Sequence, residues 1–147
     1  MKLFFLRHGE AGAAVNDDIR ELTARGRADV ERIAALHASA LKDVQQVLVS
    51  PIVRAQQTAD IFCASAGLSV QRLSVDWLIH ETPVSIALAE LAKIDRPTLL
   101  VGHQPLAGSL VNKLTGDNVS IGTADLVVME GEAYISGFMA LLKHYSP

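Results

Sequence analysis

The chain has 147 residues, of which half are hydrophobic and one fifth are charged, and its formal net charge is −3. This length predicts a single domain over residues 1–147, and the acidic balance argues against nucleic acid or an anionic membrane as a partner. No apolar run approaches the roughly 18–20 residues that cross a bilayer, and the single cysteine excludes an internal disulfide framework. We therefore expect a soluble globular protein of the cytoplasm.

The first two elements are predicted to be a strand and a helix. A strand is predicted at residues 2–6, whose apolar run, Leu3 to Leu6, ends abruptly at Arg7 and His8. In residues 23–41, apolar side chains recur at helical spacing, and His37 falls among them on the same face. His37 is therefore expected to be packed or partly buried.

A second strand is predicted at residues 44–50, and it runs directly into a helix. Ser50 is expected to be the N-cap of this helix, with Pro51 at its first helical position. Helical spacing of apolar side chains continues to Cys63, and Gly67 is expected to form the C-terminal cap.

The remaining elements continue the alternation: a weaker strand at 68–75, a helix at 83–93, a strand at 98–102 and a helix that Pro105 opens and Gly116 closes. The chain is predicted to end in an antiparallel hairpin of residues 124–131 and 133–144, with a Glu-Gly-Glu turn between them. This order predicts an α/β fold with three layers, α/β/α. Its central sheet should be mostly parallel, with the hairpin at one edge.

Three of the predicted strands deliver a cationic or potentially cationic side chain to one edge of the sheet. Arg7 and His8 follow the first strand, Arg54 lies in the first turn of the next helix, and His103 follows the strand at 98–102. Alone, Arg54 is as readily a solvated arginine, and a lone histidine after a strand is more often structural. Because the same arrangement occurs at three strand ends, we expect the four side chains to lie close together. The paired N–H donors of guanidinium groups beside helix N-termini suit phosphate oxygens. The pattern indicates a phosphate site.

Three segments resemble the histidine phosphatase superfamily, whose fold is also called phosphoglycerate mutase-like. They are LRHGE at 6–10, VSPIVRAQQTA at 49–59 and VGHQPLAG at 101–108. IRELTARGR at 19–27 and HETP at 80–83 are similar to the SixA-type phosphohistidine phosphatases, a branch of short chains without an inserted cap. The resemblance implies one histidine phosphatase domain over residues 1–147 with no cap domain.

The resemblance also implies a metal-independent enzyme that needs no cofactor. His8 would be the nucleophile and would form a transient phosphohistidine, while Arg7, Arg54 and His103 would hold the phosphoryl oxygens. The neutral ring of His8 is expected to attack phosphorus through one nitrogen, with the other nitrogen held as a donor by a backbone acceptor.

Three further positions are candidates for the site. In larger members of the superfamily an acidic residue protonates the leaving group, and Glu81 in HETP is its best positional match, although a surface carboxylate without a role fits equally well. Gly9 is expected to let the backbone turn away and leave the approach of phosphate open. Arg20 is expected to contact substrate or, more simply, solvent.

Several other polar residues are given structural interpretations. His80 either lines the site or marks its boundary, and His144 is expected to be solvated. Cys63 should behave as a buried small hydrophobe, and Ser50 and Thr58 are assigned to capping and helix packing. No pair of histidines has the spacing of a zinc site, so no metal is predicted.

The function expected from these observations is the hydrolysis of phosphohistidine on a protein, such as a histidine phosphotransfer domain, through a covalent intermediate at His8. The chain has no insertion long enough to form a lid, so the pocket should be open to a phosphorylated side chain. A small-molecule phosphomonoesterase of the same superfamily, acting on a small phosphate ester, stays open as an alternative. So does a noncatalytic phosphate-binding adaptor.

Overall fold

A computed structural model describes residues 1–147, which form six strands, four α-helices and three short 3₁₀ turns. The strands are β1 Lys2–Arg7, β2 Gln46–Val49, β3 Gln71–Ser74, β4 Thr98–Gly102, β5 Leu126–Glu130 and β6 Ala140–Tyr145. The helices are α1 Ala24–His37, α2 Val53–Ala66, α3 Val84–Leu91 and α4 Leu106–Thr115, and the 3₁₀ turns are Asp17–Ile19, Ala38–Leu41 and Asp76–Leu78.

All six strands belong to one sheet with the order β3-β2-β4-β1-β5-β6. The pairs β3–β2, β2–β4 and β4–β1 are parallel, whereas β5 runs antiparallel to β1 and β6 antiparallel to β5. The α/β fold, the mostly parallel sheet and the antiparallel C-terminal hairpin at one edge are therefore confirmed. None of the helices combines the length and the apolar character that crossing a membrane requires.

The two faces of the sheet are covered by different helices because side chains alternate along each strand. Leu3 and Phe5 of β1 pack into a core cluster that includes residues of α3 and α4. Phe4 and Leu6 point the other way, into a cluster that includes residues of α1 and α2. Both clusters are made of buried apolar side chains, and this double burial explains why β1 reads as a continuous apolar run.

The helices α2 and α4 end where the sequence predicts. Gly67 and Gly116 occupy the C-terminal cap positions with φ of +67° and +83°, a left-handed conformation that glycine adopts without a side-chain penalty. Their backbone N–H groups bond carbonyls of the last helical turn, so both predicted caps are confirmed.

The start of α2 differs from the expectation. The helix begins at Val53 with Ile52 as its N-cap, so neither Ser50 nor Pro51 belongs to its first turn. The reason is that the backbone of Ser50 is still part of the sheet, where its N–H bonds the carbonyl of Val101 at 3.0 Å. The Ser50 hydroxyl accepts the N–H of Ile52 at 3.2 Å, which forms a tight turn ahead of the helix.

The connection within the C-terminal hairpin also differs from the expectation. A Glu-Gly-Glu turn was expected, but β6 begins only at Ala140, and residues 131–139 form the link from β5. Tyr134 lies in this link with no exposed surface, and its hydroxyl lies 2.6 and 2.9 Å from the carbonyl oxygens of Lys2 and Arg96, which share its one proton. Because the buried ring of Tyr134 holds the link against the core, β6 begins later in the sequence than expected.

Candidate active site

The carboxyl ends of β2, β4 and β1 lie side by side and form one edge of the sheet. Arg7 pairs in register with Gly102, and the N–H of His8 donates to the carbonyl of Gly102 at 3.0 Å. His103 follows directly, and its ring centroid lies 5.1 Å from that of His8. Arg54 reaches the same place from the first turn of α2, with its Nε 3.3 Å from Nε2 of His8. The structure thus brings the four predicted residues together.

The ring of His8 is fixed through both of its nitrogens. Nδ1 lies 2.8 Å from the carbonyl oxygen of Gly9, and the Nε–H of Arg54 donates to Nε2. Since Arg54 can only donate, Nε2 must accept, and the proton of the neutral ring belongs on Nδ1. The single lone pair of Nε2 therefore lies at the cationic edge, where it accepts the Nε–H of Arg54.

The charge state of His8 follows from its surroundings. Its pKa is lowered to about 4, chiefly by burial and also by the positive charges of Arg54, Arg7 and Arg20, while the hydrogen bond to Gly9 acts in the opposite direction. Near neutral pH the ring is therefore uncharged, which is the state in which Nε2 can act as a nucleophile.

Arg54 is buried and bonds a residue that the sequence analysis did not single out. Its Nη1 donates to the backbone carbonyl of Asp17 at 2.8 Å, and its Nη2 donates to Oδ2 of the same residue at 3.2 Å. The Asp17 side chain is about half exposed, and hydrogen bonding by Arg20 together with the charge of Arg54 lowers its pKa. A cation in the first turn of a helix calls for an anion nearby, and Asp17 provides one.

Arg7 and His103 contribute groups without a protein partner. Nη1 of Arg7 donates to the carbonyl of Ile121 at 2.9 Å, but Nε is buried with no acceptor. His103 is 1% exposed, its Nε2 lies 2.7 Å from Oγ of Ser50, and its Nδ1 is buried without a partner. Buried polar groups of native proteins are rarely left unpaired, so these two atoms are available to bond an acceptor that is not part of the protein.

The electrostatics of the edge favour an anion. Burial lowers the pKa of Arg7, opposed by the nearby carboxylate of Asp125 and reinforced by Arg54. Burial also lowers the pKa of His103 to about 3, and the neighbouring His8 and Arg54 act in the same direction. The two guanidiniums repel each other and lie beside two neutral histidine rings. A tetrahedral oxyanion would reduce this repulsion and accept hydrogen bonds from the guanidiniums.

Gly9 is packed closely against α1. A Cβ at this position would lie 2.8 Å from the carbonyl oxygen of Gly26 and 2.9 Å from Cγ2 of Val30, both on α1. Its N–H is also committed, donating to Oγ1 of Thr58 at 3.1 Å. The close approach of α1 therefore requires a glycine at this position for packing alone. Gly26 is the partner that the sequence analysis missed.

Arg20 holds the loop that follows β1. Its Nε donates to the carbonyl of Gly12 at 2.8 Å, its Nη2 to the carbonyl of Ala11 at 3.2 Å, and its Nη1 to Oδ1 of Asp17 at 3.0 Å. The guanidinium is thus bonded to protein acceptors rather than simply solvated. Because it bonds Asp17, Arg20 also supports the residue that holds Arg54.

Glu81 lies on the rim of the site, and its neighbour His80 lines it. The His80 ring packs edge-on against His103 with centroids 5.5 Å apart. The Glu81 side chain is 84% exposed, and its Oε1 is 3.7 Å from Nδ1 of His80. A carboxylate in this position reaches the site only from its solvent side.

One group of side chains has the composition of a cation site. The ligand atoms of Asp17, Asp18 and His80 lie within 4.8 Å of one another. Both carboxylates are exposed, and Asp17 already bonds the cationic Arg54 and Arg20. Exposed acidic groups are common without an ion, and Nε2 of His80, which is buried without a hydrogen-bond partner, lies 3.7 and 3.9 Å from the two carboxylates.

The residues given structural interpretations are mostly as expected. His37 is partly buried and stacks on Tyr145 with ring centroids 3.7 Å apart. Cys63 is half buried, and burial raises the pKa of its thiol, which disfavours a nucleophilic thiolate. The expectation for His144 is corrected, because its Nε2 lies 2.7 Å from Oδ2 of Asp125 and only 28% of its side chain is exposed.

This chain is similar to one protein family and to several known proteins. The model of the histidine phosphatase superfamily (branch 1) matches residues 3–75. Phosphohistidine phosphatase SixA of Escherichia coli is 33% identical over 123 residues, which cover 78% of this chain and 74% of that protein. The SixA homolog of Haemophilus influenzae is 30% identical over 129 residues, covering 79% and 78%. A solved structure of SixA complexed with tungstate superposes with a TM-score of 0.92 at 26% identity, covering all of this chain and 97% of that one.

Proposed function

Because this chain belongs to the histidine phosphatase superfamily, in the SixA branch, we propose that it hydrolyses phosphohistidine on a protein through a covalent intermediate at His8. The observation that carries the proposal is the state of the His8 ring. It is neutral, Nδ1 is held by the Gly9 carbonyl, and Nε2 presents a lone pair beside Arg54. We further propose that residues 1–147 act as one histidine phosphatase domain without a cap.

In the first step, the Nε–H of Arg54 gives up its hydrogen bond to Nε2 of His8, and the freed lone pair of Nε2 attacks the phosphorus of the substrate. A bond forms between Nε2 and phosphorus while the bond from phosphorus to the substrate imidazole breaks. The imidazole keeps the electron pair of the broken bond and takes up a proton from solvent or from Glu81. Positive charge develops on the His8 ring as the new bond forms. The hydrogen bond from Nδ1–H to the Gly9 carbonyl stabilises this charge and keeps the ring oriented.

In the second step, water attacks the phosphorus of the phosphoenzyme. The bond from phosphorus to Nε2 breaks, the electron pair returns to the ring, and inorganic phosphate is released with the proton of the water passing to phosphate or solvent. His8 is thereby restored to its neutral form, and each turnover consumes one water molecule.

We assign Arg7, Arg54 and His103 to the nonbridging phosphoryl oxygens in both steps. The unpartnered Nε of Arg7 and Nδ1 of His103 support this role, since both are buried polar atoms that an oxyanion would satisfy. That a SixA structure was solved with tungstate, itself an oxyanion, agrees with such a pocket. Arg54 would exchange its contacts with Asp17 for phosphoryl oxygens when substrate enters.

Glu81 is our candidate for the acid that protonates the leaving group. Because its side chain is largely exposed, Glu81 is suited to assist proton transfer to a leaving group that is already easily protonated. The basicity of the leaving group therefore decides which class of substrate the site favours. An imidazole has a pKa of about 6.5 and takes up a proton readily, whereas an alkoxide is far more basic and needs a well-placed acid. A site whose candidate acid lies on the rim therefore favours phosphohistidine over an alkyl phosphate ester.

The test is the release of phosphate from a phosphohistidine-bearing protein, with a chelator present, by the wild type and by His8→Ala. We expect release by the wild type alone, unaffected by the chelator. His37→Gln, which changes a histidine outside the site, should retain activity. Release that His8→Ala also supports would contradict the proposal. Activity confined to small phosphate esters would favour the small-molecule alternative, and phosphate binding without release would favour the adaptor.

A further inference from the structure

Ser50 is a polar residue at the end of a buried strand, and no role in the chemistry has been assigned to it. It has no exposed surface, and its position is fixed at three points. Its N–H bonds the carbonyl of Val101 at 3.0 Å, its carbonyl accepts from Nε2 of Gln56 at 2.8 Å, and its hydroxyl lies 2.7 Å from Nε2 of His103.

The hydrogen bond between Ser50 and His103 can be made with the proton on either partner. If Nε2–H of His103 donates, the hydroxyl proton of Ser50 has no acceptor and Nδ1 of His103 is an unpaired lone pair. Two buried polar groups are then unsatisfied. If the hydroxyl of Ser50 donates to Nε2, its oxygen accepts only the N–H of Ile52, and Ser50 is fully satisfied.

The second arrangement leaves one unpaired group, Nδ1–H of His103. This atom is buried and has no protein partner. A phosphoryl group offers only acceptor oxygens, so a ring nitrogen that faces it must carry a proton. With Nε2 occupied by Ser50, Nδ1 is the nitrogen through which His103 can donate to the phosphoryl group.

We propose that the hydroxyl of Ser50 donates to Nε2 of His103 and so fixes this ring in its Nδ1–H tautomer, as the hydrogen-bond donor to the phosphoryl oxygens. Ser50 is a positioning residue, since it acts on the reaction only through His103. A neutral ring has a single proton to place, and burial keeps His103 neutral near pH 7, so the tautomer decides whether His103 attracts the phosphoryl group or repels it.

The direct test is the tautomer of His103, read from the ring ¹⁵N chemical shifts of the wild-type protein in solution. We expect the Nδ1–H form in the free protein, and a further change of the Nδ1–H resonance when inorganic phosphate is added. A wild-type His103 protonated on Nε2 overturns the proposal. This measurement needs no catalytic activity, so its outcome is separate from that of the proposed function.

The kinetic test rests on the proposed function and uses two substitutions at Ser50. Ser50→Ala should allow the Nε2–H form of His103 and lower kcat/KM for phosphohistidine by about tenfold to a hundredfold, as for the loss of a donor to an oxyanion. Ser50→Thr retains a hydroxyl and should restore both the tautomer and part of the rate.

The matched control is Thr98→Ala. This residue is equally buried, but it lies at the other end of β4, where its hydroxyl bonds the Arg96 carbonyl and the Gln46 side chain. The substitution should leave the His103 tautomer and the rate unchanged. A Ser50→Ala protein that is folded and keeps both the wild-type tautomer and the wild-type rate would overturn the proposal.

Discussion

Oδ2 of Asp17 lies 3.2 Å from Nη2 of Arg54, and the backbone carbonyl of the same aspartate accepts from Nη1 at 2.8 Å. A carboxylate therefore occupies one of the guanidinium donors that we assign to the phosphoryl group. Arg54 is held in place, but substrate has to displace this side chain to reach Nη2.

Asp17→Asn removes the negative charge and keeps the backbone contact to Arg54. We expect inorganic phosphate, measured as a competitive inhibitor, to bind several-fold more tightly because it no longer competes with a carboxylate. Asp18→Asn is the matched control, since Asp18 is a neighbouring exposed carboxylate without a hydrogen bond to Arg54. If Asp17→Asn instead weakens phosphate binding, the main effect of the carboxylate is to orient Arg54.

The pH dependence of the rate should report His8. Its pKa is lowered to about 4, so the ring is neutral throughout the ordinary working range. We expect kcat/KM to change little on this account between about pH 8 and 5, and to fall about tenfold per unit below pH 4 as Nε2 is protonated. An acid limb centred near the ordinary histidine pKa of 6.5 would show that His8 is less buried than described.

Stability should depend on pH for the same reason. His8 and His103 have pKa values lowered from 6.5 to about 4 and about 3 by burial. Below pH 6.5 the unfolded chain binds protons on these rings while the folded protein does not. The contribution of the two rings to the free energy of unfolding is thus fully present above 6.5 and is lost as pH falls toward 3.

Urea unfolding at several pH values between about 7.5 and 4.5 measures this loss as a decrease of the free energy of unfolding. His103→Gln removes one of the two titrating rings, so its stability should fall less steeply with pH than that of the wild type. Equal slopes for the two proteins would mean that His103 is not held neutral by the fold.

Gly26→Ala should destabilise the protein. A Cβ at this position would lie 2.2 Å from the carbonyl oxygen of Glu10, so α1 must move away from the loop after β1. We expect a loss of about 1–3 kcal/mol in the free energy of unfolding, the usual effect of overpacking. Gly12→Ala in the same loop is the control, because its nearest contacts would be at 3.9 Å. Equal stabilities of the two variants would contradict this packing argument.

Glu81→Gln should separate substrates by their leaving groups. If Glu81 is the acid, its loss should slow the hydrolysis of an alkyl phosphate much more than that of phosphohistidine, whose imidazole is easily protonated. The measurement is the ratio of kcat/KM for the two substrates in wild type and variant, with Glu90→Gln as an exposed carboxylate of α3 for control. Equal losses on both substrates would remove the argument for an acid at this position.

The sequence by itself determined the order of the elements and the composition of the cationic edge. The spacing of apolar side chains distinguishes strands from helices. The carboxyl ends of parallel strands lie at one edge of the sheet regardless of the conformation of the loops that follow them. The sequence was therefore sufficient to predict that four side chains lie close together, because each is within a few residues of a strand end: Arg7, His8, Arg54 and His103.

Only the tertiary structure decided how these groups are held. The bonds from Asp17 to Arg54 and from Ser50 to His103 join residues that are 37 and 53 positions apart, and they depend on the path of a loop and the direction of a buried hydroxyl. The close approach of Gly26 to Gly9 and the burial of Tyr134 likewise follow from packing across the core. Such contacts lack a local pattern, because neither partner's neighbours in sequence constrain where the other will be.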